Sequence, residues 1–317
     1  MRCLVTGVAG FVGSTLAGRL LESGHDVVGI DSLTDYYAVG LKRANLRTLA
    51  SDRFRFVDDD LLDADLDELL TDIDVVFHLA GQPGVRRSWG SEFNRYLRDN
   101  VEATQRLLEA AMRLPGLQRL VFSSSSSIYG DAERYPTLES DGPRPLSPYG
   151  VTKLAAEHLC SLYAANYGTP TVSLRYFTVY GPRQRPDMAF TRFMRAALTG
   201  EEITVYGDGE QVRDFTYVDD VVEANILAAT SAVEPGAVFN ISGGGSTSVN
   251  AVLESIERLA GARLRIKRLP PAAGDVRRTG GSSELAREAL GWMPRVDMEA
   301  GISRQWAWLA TGPTEGP

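Results

Sequence analysis

Up to Tyr180 the chain alternates short, continuous apolar runs with longer segments whose apolar residues recur every three or four positions. The short runs predict strands at Arg2–Thr6, Asp26–Ile30, Phe54–Val57, Val75–Leu79, Arg119–Ser123 and Thr171–Leu174. The segments between them predict helices at Phe11–Glu22, Leu41–Leu49, Leu66–Thr71, Glu92–Arg113 and Pro148–Tyr167. Strands that are apolar on every residue are buried on both faces, so the alternation predicts an α/β fold with a doubly wound parallel sheet. After Tyr180 the pattern loosens into an arginine-bearing stretch (GPRQRPDMAFTRF), a hairpin-like ITVYGDGEQVRDF, a helix near Val218–Ala229 and a strand at Val238–Ile241. This division predicts a first domain over 1–177, to which segments near 213–242 return, and a smaller C-terminal α/β lobe over 178–317. The terminal TGPTEGP is expected to fray.

Composition narrows the classes. A chain of 317 residues with 44% hydrophobic content can bury one large core or two modest ones. It has no basic, apolar leader pattern and no uninterrupted apolar span of bilayer length, so a soluble, cytoplasmic protein that does not engage a membrane is expected. Cys3 and Cys160 are the only cysteines and read as small core residues. His25, His78 and His158 are scattered singly, so no metal site is expected. A net charge of −8 argues against a nucleic-acid surface and leaves local arginines to hold an anionic small molecule.

The chemistry begins at Thr6-Gly7-Val8-Ala9-Gly10-Phe11-Val12-Gly13, where a strand passes through a glycine-spaced turn into a helix. Gly7, Gly10 and Gly13 permit a tight turn, close backbone approach to a diphosphate and close helix packing, while the helix N-terminus offers free N–H groups to an anion. The spacing is GxxGxxG, which alone also fits an ordinary turn. Asp31 ends the second strand where a carboxylate accepts from adenosine ribose hydroxyls and repels a 2'-phosphate, so the expected cofactor is NAD rather than NADP. Asp60 and Leu61 after the third strand would flank the adenine, and Leu79-Ala80-Gly81 after the fourth would pass beneath the cofactor.

A second signal is Tyr149-Gly150-Val151-Thr152-Lys153, whose helix starts at Ser147-Pro148. Residues four apart share a helix face, so the phenol and the ammonium can enter one cleft. A phenol with a reference pKa of about 10 is a poor base at neutral pH unless a nearby cation favours the phenolate. The run Ser123-Ser124-Ser125-Ser126-Ser127-Ile128-Tyr129-Gly130 ends the fifth strand, where ligands of such sheets lie.

Taken together, the glycine turn, Asp31, HLAG, Asp99-Asn100, the serine run, YxxxK, RYFTVYGP, DGEQVRDFTYVDD and GDVRRT resemble the extended short-chain dehydrogenase/reductase family, specifically its nucleotide-sugar epimerases and dehydratases. The resemblance covers nearly the whole chain. It implies a Rossmann-type sheet with NAD as a tightly held cofactor, a UDP-sugar substrate bound by the C-terminal lobe, and a homodimer formed by the helices Glu92–Arg113 and Pro148–Tyr167. Burial of those helices within the monomer explains their apolar faces nearly as well.

Carried over by position, the resemblance makes Ser125 the catalytic serine, Tyr149 the base and Lys153 its partner on the nicotinamide ribose. Phe11, Val12, Ser32, Ser123 and Tyr176 join the cofactor set, with Asn100 a structural, cofactor-side residue. Arg86, Val205, Tyr206, Gln211, Arg213 and Asp275 join the substrate set, Arg213 as the diphosphate ligand. Family dehydratases and decarboxylases carry carboxylates beside the shared serine. Here Ser126 and Ser127 stand there, which favours reversible oxidation at one carbon.

The segment from Gly181 to Ala189 resembles that of UDP-glucuronate 4-epimerases, with Thr178 where UDP-galactose 4-epimerases carry asparagine. Ser126, Ser127 and Thr178 would donate hydrogen bonds to a C6 carboxylate, and Arg185 would close over the sugar. The implied reaction is 4-epimerisation of UDP-glucuronate to UDP-galacturonate through a 4-keto intermediate without decarboxylation. UDP-glucose 4-epimerisation, UDP-glucuronate decarboxylation and a non-enzymatic NAD-binding sensor or scaffold remain as alternatives.

Overall fold

The computed structural model describes residues 1–271 and 274–312, so the expected fraying lies, for 313–317, outside the described residues. Its strands are β1 Arg2–Thr6, β2 Asp26–Ile30, β3 Phe54–Val57, β4 Val75–His78, β5 Arg119–Ser125, β6 Thr171–Tyr176, β7 Thr178–Tyr180, β8 Glu202–Tyr206, β9 Val212–Tyr217, β10 Ala237–Ile241, β11 Ser246–Ser248 and β12 Arg265–Leu269. Its helices are α1 Phe11–Glu22, α2 Val39–Arg47, α3 Leu66–Leu69, α4 Phe93–Tyr96, α5 Ala103–Ala111, α6 Pro148–Tyr167, α7 Ala189–Thr199, α8 Val218–Thr230, α9 Val249–Ala260, α10 Glu284–Leu290 and α11 Met298–Thr311.

Seven strands form one parallel sheet in the order β10-β6-β5-β4-β1-β2-β3. The order reverses at β1, and in open α/β sheets ligands bind beyond the carboxyl ends of the strands at such a reversal. The two-residue period of a strand divides the core in two. Along β1, Cys3 and Val5 face the layer holding Leu16 and Leu20 of α1 and Val221 and Ala224 of α8. Leu4 faces the layer holding Leu107 and Leu108 of α5 and Ala156 and Cys160 of α6. Fully burying one such leucine contributes about 1.5–3 kcal/mol, so both layers are needed to hold the sheet.

Helix α6 is bounded at both ends by its own sequence. The Ser147 hydroxyl accepts from Gly150 N at 3.1 Å, Pro148 opens the first turn, and Gly168 closes the helix with a left-handed φ of 69°. The C-terminal part forms a three-stranded sheet, β11-β9-β7, and a parallel pair, β12-β8.

Two expectations are corrected. ITVYGDGEQVRDF is not a hairpin: β8 pairs with β12, whereas β9 pairs with β7 and β11. Turn-like residues mark where the chain reverses, but the partner strands arrive from far along the sequence. Glu92–Arg113 is not one regular helix: a 3-10 turn at Gly90–Glu92 leads into α4, a π-helical stretch at Leu97–Glu102 and then α5. The wider π turn carries the buried Asn100, and such turns recur at functional sites. Strands β5 and β6 each run two residues past the expected ends, which brings Ser125 beside Tyr176 in the sheet. No helix among the described residues is long and apolar enough to cross a membrane.

Candidate active site

A cleft opens at the carboxyl edge of the main sheet, between the glycine turn, the loop after β2 and the start of α6. At Gly7, with φ of +68°, an added Cβ would lie 2.9 Å from Ala80 N and Cα. At Gly13 a Cβ would sit 2.2 Å from the Gly7 carbonyl oxygen, so only glycine lets α1 start this close to the turn. No side chain caps α1 and its first turn carries no acid, which leaves its N-terminus suited to an anionic group. Asp31 lines the cleft and accepts from Ala9 N at 3.1 Å and Leu33 N at 2.9 Å. Uncapped helix, glycine cradle and ribose-distance carboxylate together fit a dinucleotide diphosphate and its adenosine ribose.

The expected cofactor set lines this cleft: Gly7, Gly10, Phe11, Val12, Gly13, Asp31, Ser32, Asp60, Leu61, Leu79, Ala80, Gly81, Ser123, Tyr149, Lys153 and Tyr176. Asn100 lies behind it. Its amide donates to Gln82 O and Thr152 Oγ1 at 3.1 and 3.0 Å, and its Oδ1 accepts from Gln82 N at 2.6 Å, tying the loop after β4 to α6.

A buried chain of hydroxyls continues this support. Thr6 Oγ1 accepts from Leu79 N and Ala80 N at 3.1 and 3.0 Å, so its hydrogen goes to His78 Nδ1 at 2.8 Å. That assigns the ring proton to Nε2, which donates to Thr104 Oγ1 at 2.9 Å; the Thr104 hydroxyl in turn donates to Asn100 O at 2.7 Å. Burial, assisted by the Lys153 cation, pushes the His78 pKa down to about 3 and keeps the ring neutral.

Tyr149 and Lys153 enter the cleft from one face of α6. Burial raises the Tyr149 pKa, while a hydrogen bond with Ser125 and the nearby Arg185 cation pull it back. Lys153 donates to Ser123 O at 2.8 Å, and burial lowers its pKa to about 8. Tyr96 meets Tyr149 edge to face, with ring centroids 6.2 Å apart. Arg185 also lines the cleft, held by Asp187 through two contacts of 3.0 Å and lying over the Tyr36 ring.

The remaining expected substrate residues are spread differently. Ser126 and Ser127 form the 3-10 turn after β5, with Ser127 N donating to Ser125 Oγ at 3.1 Å, and Thr178 opens β7. Neither they, nor Ser125, nor the lobe residues are among those that line the cleft itself. Arg86 pairs with Asp275 at 2.6 Å and covers the Tyr206 ring, with Arg213 near the same carboxylate. Gln211 donates to Tyr206 O at 2.8 Å, and its buried Oε1 has no hydrogen-bond partner among the described residues. Val205 departs from expectation, because β8 turns its side chain into the apolar core, leaving only backbone there for a ligand.

Several cleft residues escape the sequence reading, chiefly Tyr36, Tyr37, Lys42 and Gln82. The signal for the first three is DYYAVGLK after Asp31, where aromatic and cationic residues crowd the loop and the start of α2 beyond the strand's carboxyl end. Lys42 lies 3.6 Å from Asp31 and donates to Thr34 Oγ1 at 3.1 Å.

Residues 3–242 match the NAD dependent epimerase/dehydratase family. The chain belongs to that family. It resembles a crystal structure of UDP-glucuronic acid 4-epimerase from Bacillus cereus in complex with UDP-glucuronic acid and NAD, with a TM-score of 0.95 and 41% identity over 98% of this chain and 99% of that one. UDP-glucuronate 4-epimerase of Thermodesulfobacterium geofontis is 37% identical, covering 96% of this chain and 95% of the relative. UDP-glucose 4-epimerase of Mycolicibacterium smegmatis is 41% identical, covering 96% of this chain and 97% of the relative. The glycine cradle and the placing of Tyr149 and Lys153 in one cleft are consistent with that membership.

Proposed function

We propose that this protein is an NAD-dependent 4-epimerase that interconverts UDP-glucuronate and UDP-galacturonate. The observation that carries this reading is the meeting of Tyr149, Lys153 and the Arg185 cation in the cleft of the glycine cradle, with Ser125 and Arg185 both favouring the ionised phenol. The B. cereus enzyme of like fold, crystallised with UDP-glucuronic acid and NAD, supports it. Arg185 favours a uronate over a neutral hexose, since a guanidinium recognises a carboxylate by paired, charge-assisted hydrogen bonds.

Held by the glycine turn, Asp31 and Lys153, NAD would accept the C4 hydride and later give it back, and its positive charge would favour the phenolate. Tyr149, as phenolate, takes the C4 hydroxyl proton, and the Ser125 hydroxyl holds the same oxygen by a hydrogen bond. After the 4-keto sugar has turned over in the cleft, so that the other face of C4 is presented for reduction, Tyr149 returns the proton to the C4 oxygen. Arg185, released from Asp187, holds the C6 carboxylate together with Ser126, Ser127 and Thr178. That grip keeps the C5–C6 bond out of line with the ketone π system, the alignment through which a β-keto acid loses carbon dioxide. No carboxylate stands at Ser126 or Ser127 to act as the additional acid or base of an elimination.

This reading includes a homodimer. Val151, Ala155, Leu159 and Leu162 recur at three- and four-residue spacing along the outer face of α6, with Val151 and Leu162 about half exposed at 47% and 55%. A second copy of α6 and its neighbouring helix covers that stripe in a four-helix arrangement.

Incubating the purified protein with UDP-glucuronate and no added cofactor tests the reaction. UDP-galacturonate is the expected product. Conversion of UDP-glucose alone, or release of UDP-pentose, replaces the proposal with a hexose epimerase or a decarboxylase.

A further inference from the structure

Five consecutive serines at the end of β5 need not do the same work, and their contacts divide them. Ser123 offers its carbonyl oxygen to Lys153 Nζ at 2.8 Å. The Ser124 hydroxyl donates to Glu157 Oε2 at 2.5 Å, which occupies its only proton and removes it from hydrogen-bond donation to a substrate. Ser125 lies near enough to Tyr149 to favour the ionised phenol. Tyr149, Lys153 and Glu157 are successive members of one face of α6, four residues apart, so three adjacent serines meet three successive turns of the helix.

Glu157 is itself fixed. Arg175, which stands beside Ser124 in the β5–β6 register, contacts both its oxygens, with Nε to Oε2 at 3.0 Å and Nη2 to Oε1 at 2.7 Å. Arg175 Nη1 donates to Tyr129 Oη at 2.6 Å and to Glu139 O at 3.1 Å; Tyr129 donates onward to Asn240 Oδ1 of β10 at 2.7 Å. Ser124, Glu157, Arg175, Tyr129 and Asn240 are all buried. A buried ion pair contributes little net stability over apolar side chains of similar volume, but with both carboxylate oxygens and all three guanidinium nitrogens partnered it admits one geometry.

We infer that Ser124, Glu157 and Arg175 are positioning residues: they lock α6 in register against the end of β5 and so hold the Tyr149 phenol against the Ser125 hydroxyl. The inference rests on the proposed epimerase reading and deepens it. A slip of α6 by a fraction of an ångström leaves the diphosphate cradle and the substrate lobe untouched, but it separates the phenol from the hydroxyl that helps to hold its proton affinity down. The other groups facing the phenol are Arg185, Tyr36 and Tyr96, together with Lys153 on its own helix.

The test compares Ser124→Ala, Ser124→Thr and Glu157→Gln as purified holoenzymes, reading kcat and KM for UDP-glucuronate, the pH profile of kcat, retained NAD and thermal melting. Ser124→Ala is expected to lower kcat about ten- to a hundredfold while KM and bound NAD stay within about twofold, as expected when only a transition-state contact is lost. The rise of kcat with pH moves to higher pH, because the phenol has lost a partner that favours its ionised form. Ser124→Thr keeps the hydroxyl and restores most of the rate. Glu157→Gln shows the same shift with a larger loss; if it does not fold, the two Ser124 variants decide. An unchanged kcat and pH profile in Ser124→Ala, or a change confined to KM, overturns the inference. Should the wild type fail to turn over UDP-glucuronate, the epimerase reading falls on its own. An NMR titration with ring-labelled tyrosine, using Tyr149→Phe for assignment, then reads positioning directly: a higher Tyr149 pKa in Ser124→Ala upholds it and an unchanged one refutes it.

Discussion

The Lys153 ammonium donates to the Ser123 carbonyl at 2.8 Å, one helical turn beyond the Tyr149 phenol on the same face of α6. One of its three N–H donors is thereby committed to the end of β5, which fixes the charge under the cleft.

Its titration gives the first prediction. Burial lowers the Lys153 pKa from 10.5 to about 8, so the ammonium is present below pH 8 and lost as pH rises through it. Because kcat/KM reports the free enzyme, it is expected to fall above about pH 8. In Lys153→Arg, whose guanidinium stays charged, whatever activity survives should lack that alkaline fall. A wild-type profile flat to pH 10 contradicts the assignment.

Arg185 sets the second. With its Asp187 partner at 3.0 Å it is a cation held ready inside the cleft. Arg185→Ala should lower kcat/KM for UDP-glucuronate by about a hundredfold, the 2–3 kcal/mol scale of a charge-assisted hydrogen bond, and should lower any turnover of UDP-glucose much less, only through loss of the cation that favours the Tyr149 phenolate. Both Arg185→Ala and Thr178→Val should raise the proportion of UDP-pentose, measured by chromatography of the reaction products. A constant product ratio in both variants removes these residues from control of the carboxylate.

What can be read from the sequence follows the range of the interactions. The six strands from β1 to β6 are legible because each is a continuous apolar run, and α6 is legible because Ser147, Pro148 and Gly168 mark its ends locally. The separation of β8 from β9 is not legible, because each pairs with strands distant in sequence. Within the cleft, the glycine turn, Asp31, Tyr149 and Lys153 announce themselves by spacing. Lys42 and the use of Ser124 do not: both depend on which carboxylate, Asp31 or Glu157, tertiary packing brings within reach. The π turn at Asn100 is hidden for the same reason, since the local sequence is as compatible with a regular helix.

The outer face of α6 gives a third prediction. Leu162 is 55% exposed in the single chain, and Leu162→Arg places a charge in the middle of the stripe proposed to pair with a second copy. The variant should be monomeric by light scattering at concentrations where the wild type is a dimer, with its fold retained by circular dichroism. A monomeric wild type disposes of the dimer.

His78 supplies the last. Its ring is buried and neutral, donating from Nε2 to Thr104 and accepting at Nδ1 from Thr6, and its pKa lies near 3 against an ordinary value of 6.5. Between those values the unfolded chain binds a proton that the folded chain does not. The contribution of His78 to stability is therefore fully present above pH 6.5 and is lost as pH falls towards 3, at up to about 1.4 kcal/mol per pH unit. His78→Gln keeps one acceptor and one donor but does not titrate. In urea unfolding it should be less stable than the wild type at pH 7.5, by about 1–3 kcal/mol, and the gap should narrow steadily as the pH is lowered to 5. Because every other titrating group is common to both proteins, a gap that stays constant would mean that the folded protein accommodates a charged ring at this position, and that the hydroxyl chain from Thr6 to Asn100 does not require the neutral tautomer.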